Sequence, residues 1–306
     1  MWRNLGIGYF NVRRQPAKAR AAYDKAFRAN PSDARLLYER DQLWKRLGEM
    51  PEKRLCELDN HSDLVRQRDD LSLELCALNN QTGQPARALQ IVVDRKFQPW
   101  EGGEGGPLGQ HVRAQLALGR AALAQGEFAV ACGCFERALA SPRNLSEAKH
   151  LLANQSDIHY WLGCARSGLG DRISARNHWH LAATFKGDFQ EMSVRAFSEM
   201  TYYSALSWEK LGQPARAKRI FRDLLVYARK LHKATATIDY FATSLPTMLL
   251  FDDDLQFRQK TTASFLQAQA QLGLGKKARA KSLLQTVLRR DPNHALAADF
   301  LNGMKR

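Results

Sequence analysis

A recurring pattern of small and large apolar residues begins at the second residue of the chain and returns almost to its end. The spacing within one copy predicts two antiparallel helices, and a full copy takes about 34 residues. Such a unit cannot bury its apolar face alone, so consecutive copies must stack side by side into a solenoid. The first copy contains Trp2, Leu5, Gly6, Tyr9, Ala19, Tyr23, Ala26 and Pro31.

Further copies are found when the chain is aligned on the small residues of this pattern. Together they predict an all-α superhelix, a single solenoid of about six to seven helix pairs that spans residues 1–306. The approximate repeats are 2–31, 33–58 (degenerate), 63–95, 112–142, 156–185, 198–231 and 259–292.

Glycine and proline mark the turns inside these repeats. A glycine just after the first helix favours the left-handed conformation that ends a helix. Proline at the first position of a helix lacks only a backbone N–H that would have no partner there, and Pro85 and Pro214 are predicted at such positions. The predicted C-terminal caps are Gly83, Gly126, Gly170, Gly212 and Gly275.

One interruption of the repeats is rich in glycine. Residues 97–109 read FQPWEGGEGGPLG, which predicts an irregular loop. We expect Phe97 and Trp100 to be buried under a neighbouring repeat.

A second interruption, residues 235–254, is apolar and aromatic and then abruptly acidic. We expect it to pack on the solenoid as a short helix or turn, with Asp252, Asp253 and Asp254 capping the helix that follows. Residues 294–304 are expected to form a solvating cap helix at the C-terminal end.

The repeats resemble the tetratricopeptide repeat, in which a tryptophan, a leucine–glycine pair, a tyrosine, alanines and a closing proline have these spacings. This resemblance extends over most of the chain. It implies a solenoid whose usual work is to bind other proteins.

Three longer segments resemble the C-terminal repeat region of large bacterial proteins of uncharacterised function. They are PWEGGEG (99–105), HYWLGCA (159–165) and IDYFATSLP…LLFDDDL (238–255). Those proteins carry an N-terminal β-sandwich similar to mutarotase-like carbohydrate-processing folds, and the resemblance transfers no sugar-directed activity to the residues present here. Because Trp2 falls at about the fourth position of its repeat, we expect the chain to be either the C-terminal part of a longer protein or a truncated gene product.

The composition is that of an ordered soluble chain with a basic surface. The hydrophobic fraction is 44% and the net charge is +15, which attracts anionic partners but does not determine the fold. The five cysteines are an odd number scattered through helical segments, so we expect reduced thiols. We expect a cytoplasmic protein without a signal peptide or a membrane span.

The candidate catalytic and metal-binding motifs are weak. The glycine-rich loop lacks the lysine of a phosphate-binding loop and carries two glutamates that would repel phosphate. Two residues apart on a helix, His178 and His180 face different directions, as do Cys132 and Cys134. No order of residues around Cys164 indicates a nucleophile with its base. We therefore expect a non-catalytic protein without a cofactor or a metal.

The concave surface of the predicted solenoid is the best candidate site. In tetratricopeptide arrays the second, fifth, ninth and twelfth positions of each first helix line that surface, and aromatic and charged residues there suit a peptide or a neighbouring domain. That domain could be the β-sandwich of a longer protein. The predicted partner-binding residues are Asp70, Leu73, Asn80, Arg113, Leu116, Arg120, Asp157, Tyr160, Cys164, Glu199, Tyr202, Leu206, Glu209, Phe265 and Gln269.

Two alternatives limit this prediction. The inserted residues 238–254 could fill the groove themselves. A clamp for a C-terminal carboxylate requires lysine and asparagine at the fifth and ninth positions, where Tyr160 and Cys164 stand in one repeat. Only Arg113 and Arg120, on one helix face, offer a local site for an anion.

Basic residues are concentrated in the second helices of the last two repeats. Such stripes attract phosphate, but they fall on the convex side and lack interleaved exposed aromatic residues for base stacking. We therefore expect solvated surface there, with nucleic-acid binding and an acidic protein partner as the alternatives. A third alternative is an accessory arm of a carbohydrate-related protein.

Overall fold

The computed structural model describes residues 1–100, 102–185, 187–190, 193–237 and 250–304. These residues are mostly helical, with one short antiparallel strand pair, β1 (Asp188–Gln190) and β2 (Ser193–Arg195), in which Asp188 lies opposite Arg195. A π-helical turn (Gly8–Val12) and a 3-10 turn (Arg143–Leu145) complete the regular structure. The described α-helices are α1 (Trp2–Ile7), α2 (Pro16–Ala29), α3 (Ala34–Arg46), α4 (Pro51–Asn60), α5 (Ser62–Val65), α6 (Asp69–Gln81), α7 (Pro85–Asp94), α8 (Gly106–Ala124), α9 (Phe128–Leu139), α10 (Ser156–Gly168), α11 (Arg172–Thr184), α12 (Thr201–Lys210), α13 (Pro214–Lys233), α14 (Leu255–Gly273), α15 (Lys277–Arg290) and α16 (Ala295–Gly303).

Most of the helices form consecutive pairs, and each pair packs on the next. Helices α8 and α9 form one such pair; α9 then packs on α10, α11 on α12, and α13 on α14. The prediction of an all-α superhelix is confirmed. None of the described helices is long and apolar enough to cross a membrane.

In the pairs α8–α9 and α10–α11, a glycine of the first helix faces a large aromatic side chain of the second. A Cβ placed on Gly119 would lie 2.4 Å from Phe135 Cε1, and one on Gly163 would lie 2.6 Å from Trp179 Nε1. Because real Cβ atoms do not approach other atoms this closely, glycine sets the distance between the two helices. The aromatic ring fills the space that this leaves, as the repeat pattern predicted.

The turn inside each pair follows the sequence prediction. The five predicted glycine caps have φ between +77° and +82°, the left-handed region that glycine enters at little cost. Pro85 and Pro214 occupy the first position of α7 and α13. The predicted glycine caps and first-position prolines are therefore confirmed.

The glycine-rich interruption is shorter than predicted. Residues 106–109 form the first turn of α8, because Gly105 takes the left-handed conformation (φ 72°) and Pro107 follows near the start of the helix. Phe97 is fully buried, as expected, whereas Trp100 is only half-buried. The Phe97 N–H donates to the Asn144 backbone oxygen at 2.8 Å.

Only the two ends of the second interruption, residues 235–237 and 250–254, fall within the described residues. Phe251 is fully buried, with ring-centroid distances of 5.3 Å to Phe10 and 5.6 Å to Tyr23. The Asp254 carboxylate accepts from the Phe257 N–H at 2.8 Å at the start of α14, which confirms its capping role. The later of these two ends therefore packs on the first helix pair.

The last helix, α16, differs from the expected solvating cap. Ala297 is fully buried and Leu296, Phe300 and Leu301 are half-buried. The turn before α16 also reaches the first half of the chain, where Asn293 accepts from Arg54 Nη1 at 2.8 Å and donates to the Glu49 backbone oxygen at 3.1 Å. The two halves of the superhelix therefore close on each other through residues 292–304.

The glycine contact can be tested with two alanine substitutions in one helix. Gly119→Ala should lower the free energy of unfolding by about 1–2 kcal/mol, because the new Cβ overlaps Phe135. Gly109→Ala, where nothing lies within 4 Å, should raise it by about 0.5–1 kcal/mol. Urea unfolding measures both, and a Gly119→Ala protein as stable as the Gly109→Ala protein would contradict the packing argument.

Candidate partner-binding groove

A cavity lies between α16 and the first helices α8, α10, α12 and α14. We call the surface that these four first helices turn towards α16 the concave groove. The cavity measures about 240 Å³, enough for one or two side chains. Its lining residues are Gly109, Gln110, Val112, Arg113, Leu116, Arg120, Asp157, Glu199, Met200, Tyr203, Gln269, Leu296, Asp299 and Phe300.

Several of the residues predicted from first-helix spacing meet at this cavity, although they come from four repeats. They lie at inward positions of α8, α10 and α14 or, in the case of Glu199, just before the start of α12. The predicted residues that line the cavity are Arg113, Leu116, Arg120, Asp157, Glu199 and Gln269.

The predicted aromatic anchors lie deeper than an open groove would place them. Tyr160 and Phe265 are buried and Tyr202 is half-buried. The Phe300 ring of α16 lies 5.3 Å from Tyr202 and 5.4 Å from Phe265, between ring centroids. The Tyr202 and Phe265 rings are therefore covered by the chain's own last helix, and Tyr160 is buried, so none of the three is a free anchor.

The remaining predicted residues lie outside the cavity. Asp70 forms an ion pair with Arg68 at 2.6 Å, and Asn80 donates to the Gln110 side chain at 3.0 Å. Others are half-buried or exposed along α6, α10 and α12: Leu73, Cys164, Leu206 and Glu209.

Arg113 already holds an anion in this structure. Its Nε and Nη2 atoms donate to the two Asp299 carboxylate oxygens at 2.9 and 2.8 Å, and Nη2 also donates to Gln81 Oε1 at 2.8 Å. A bidentate pair of this kind is among the stronger polar contacts in proteins. The predicted anion site of Arg113 and Arg120 is thus half occupied by the chain itself.

Arg120 and Gln269 remain available. Among the described residues Arg120 has no ion pair within 4 Å and no hydrogen bond to a side chain, although it is half-buried at the cavity wall. Gln269 is almost fully buried; its Nε2 donates to the Glu199 backbone oxygen at 3.1 Å, but its Oε1 has no hydrogen-bond partner there. The cavity thus offers one cation and one acceptor.

Asp157 adds a titratable group to the same wall. Burial raises the pKa of its carboxyl to about 6, against the opposing effects of the Ile158 N–H, Lys149 and Arg120. A cationic group entering the cavity would lower this pKa again.

The groove predicted from the sequence did not include α16, which supplies Leu296, Asp299 and Phe300 to the cavity. A signal was present: Leu296 and Phe300 are four residues apart and share one helix face, as expected of a helix with an apolar side. The spacing of these two residues could not predict which surface of the solenoid the apolar side of α16 would cover.

His178 contacts His159 and not His180, the residue considered as its metal-binding partner in the sequence. The Nδ1 atom of His178 lies 3.1 Å from that of His159 on α10, whereas His180 is exposed. Burial lowers the pKa of His159 to about 4, with a further contribution from His178. No group of three or more His, Cys, Asp or Glu side chains suited to a metal is present in the part of the chain that the structure describes.

Acid should weaken the fold through this histidine pair. An unfolded histidine titrates near 6.5, so stability is full above that pH and is lost as pH falls towards 4. Between pH 7.5 and 4.5, the free energy of unfolding of His159→Gln should fall by about 1–2 kcal/mol less than that of the wild type, a figure that allows for the partial exposure of His159. Urea unfolding at pH 7.5 and 4.5 measures this; the exposed His180→Gln is the control and should follow the wild type.

Cys164 is not an activated nucleophile. Burial raises the pKa of its thiol, so the thiolate is rare at neutral pH.

The comparisons with known proteins identify the repeats. Residues 81–165 and 262–294 each match a family model described as tetratricopeptide repeat. These two segments are therefore tetratricopeptide repeats, which generally mediate protein–protein interaction and serve as non-catalytic scaffolds.

Three solved structures resemble the chain at low sequence identity. A tetratricopeptide repeat protein from Parabacteroides merdae ATCC 43184 is 12% identical, with 98% of this chain and 96% of that chain covered and a TM-score of 0.47. The P58(IPK) TPR domain is 15% identical, with 98% and 88% covered and a TM-score of 0.34. MamA is 17% identical, with 73% and 94% covered and a TM-score of 0.25. These values are too low to transfer a partner from any of them.

Proposed function

We propose that the chain is a non-catalytic scaffold that binds a protein partner through a short segment entering the concave groove. The observation that carries this proposal is the cavity of about 240 Å³. Among the described residues, its Arg120 forms no ion pair within 4 Å, although Asp157 lines the same wall, and its buried Gln269 amide oxygen has no hydrogen-bond donor. Buried polar atoms are normally hydrogen-bonded. A bound segment would supply what these two groups lack.

The lining restricts the chemistry of that segment. A carboxylate, from an acidic side chain or a chain end, suits Arg120, and an N–H or hydroxyl donor suits Gln269 Oε1. Leu116 and Phe300 favour an apolar group beside them. The segment could belong to a separate cytoplasmic protein or to a β-sandwich domain of a longer protein of the kind that the sequence resembles.

Arg120→Glu should weaken this binding at least about tenfold, which corresponds to about 1.4 kcal/mol. The probe is a fluorescent library of ten-residue peptides with free or amidated C-termini, measured by anisotropy. Arg172→Glu, on the exposed start of α11, changes the charge equally and should leave binding intact. Selected peptides that bind both variants equally would place the site elsewhere.

Asp299→Asn should act in the opposite direction. It leaves Arg113 without its carboxylate partner, so acidic peptides gain a second cation and should bind about threefold to tenfold more tightly. Amidated neutral peptides serve as the control in the same assay. Unchanged affinity for acidic peptides would show that Arg113 does not face the ligand.

A further inference from the structure

The net charge of the chain is concentrated in two second helices. Residues 214–233 and 276–290 carry 13 lysine and arginine side chains and a single acidic residue, Asp223, so they hold +12 of the chain's +15. We call the exposed side of α13 and α15 the basic face. Its lysines and arginines are Arg216, Lys218, Arg219, Arg222, Arg229, Lys230, Lys233, Lys276, Lys277, Arg279, Lys281, Arg289 and Arg290.

Most of these charges are available to a partner, although Arg216 stacks over the Trp208 ring at 3.5 Å and Arg290 over the Phe257 ring at 4.8 Å. All of them are exposed except the half-buried Arg290. In the described residues only Arg219 has an acidic partner, Asp223 at 3.9 Å. Internal ion pairs therefore do not account for this concentration of positive charge.

The basic face lies away from the groove. On α13 the buried residues Ala217, Phe221, Leu224 and Ala228 share one side, and the basic residues stand on the other. Both α13 and α15 pack on α14, and neither contributes to the cavity lining. A partner on this face would leave the groove accessible.

The spacing on α13 suits an extended polyanion. Arg219, Arg222, Arg229 and Lys233 recur along one side of the helix over about 21 Å, at 1.5 Å per residue. A nucleic-acid duplex presents one negative charge per about 1.7 Å of its axis, so a rod laid along α13 meets many phosphates.

We infer that the basic face binds the phosphate backbone of double-stranded nucleic acid without reading its sequence. Single strands are bound by stacking bases on exposed aromatic rings, and the large aromatic side chains of α13, Phe221 and Tyr227, are buried and half-buried. An anionic membrane requires an apolar anchor in addition to charge, and Val226 is the one exposed large apolar residue of α13 and α15. Phosphate contacts alone match what this face offers.

The test is fluorescence anisotropy of the full chain with a labelled 20-base-pair DNA duplex and an RNA duplex between 50 and 200 mM salt. The wild type should bind with an affinity that falls steeply with salt. Arg219→Glu/Arg222→Glu/Arg229→Glu should weaken binding at least about 30-fold and reduce the log–log salt slope by about 3, near 0.9 for each lost phosphate contact.

The matched control changes three exposed arginines elsewhere, Arg143→Glu/Arg172→Glu/Arg176→Glu, which alters the net charge by the same amount. It should lose less than about threefold, and thermal unfolding followed by circular dichroism should show both triple variants folded. Arg120→Glu should leave duplex binding unchanged, which separates this face from the groove.

Three results would overturn the inference. One is equal loss in the two triple variants, which would mean that net charge and not this face attracts DNA. The second is no duplex binding at 150 mM salt, and the third is tighter binding to phosphatidylserine vesicles or to a polyglutamate chain than to duplexes.

Discussion

The close approach of two helices at a glycine is the contact on which the rest of this structure depends. Where Gly119 meets Phe135 and Gly163 meets Trp179, a larger residue would move the second helix outwards. The short spacing within these pairs lets them stack closely on their neighbours, and the rotations between successive pairs sum to curve the array. The curvature turns the first helices inwards, which is why residues from four repeats reach one cavity.

A buried ionic cluster joins this curved array to its own end. Arg54 donates to Asp41 at 2.9 and 2.5 Å and to Glu74 at 2.8 Å, and its remaining nitrogen reaches Asn293. Burial alone would raise the pKa of Glu74, yet Lys45 and Arg54 hold it well below its usual range. Buried ion pairs contribute little net stability but can select one arrangement, and here they select the contact between the second helix pair and the turn before α16.

The sequence predicted the helix pairs, their glycine caps and the inward positions because these depend on residues close together in the chain. Arg113, Arg120 and Asp157 could be placed on one surface for the same reason. The position of α16 could not be predicted, since it depends on small rotations summed over the whole stack. The same limit explains the aromatic residues: Tyr202 and Phe265 stand at the predicted positions, but the ring of Phe300 covers them.

The closure of the chain on itself alters how it can come apart. In an open array each repeat rests only on its neighbours, so the terminal units fray first and the middle survives. Here Asn293 bonds to Arg54, 239 residues away in the chain, and Phe251 lies against Tyr23. Neither end can loosen without removing support from the opposite half, so such a molecule melts in a concerted manner and tolerates the loss of a terminal unit poorly.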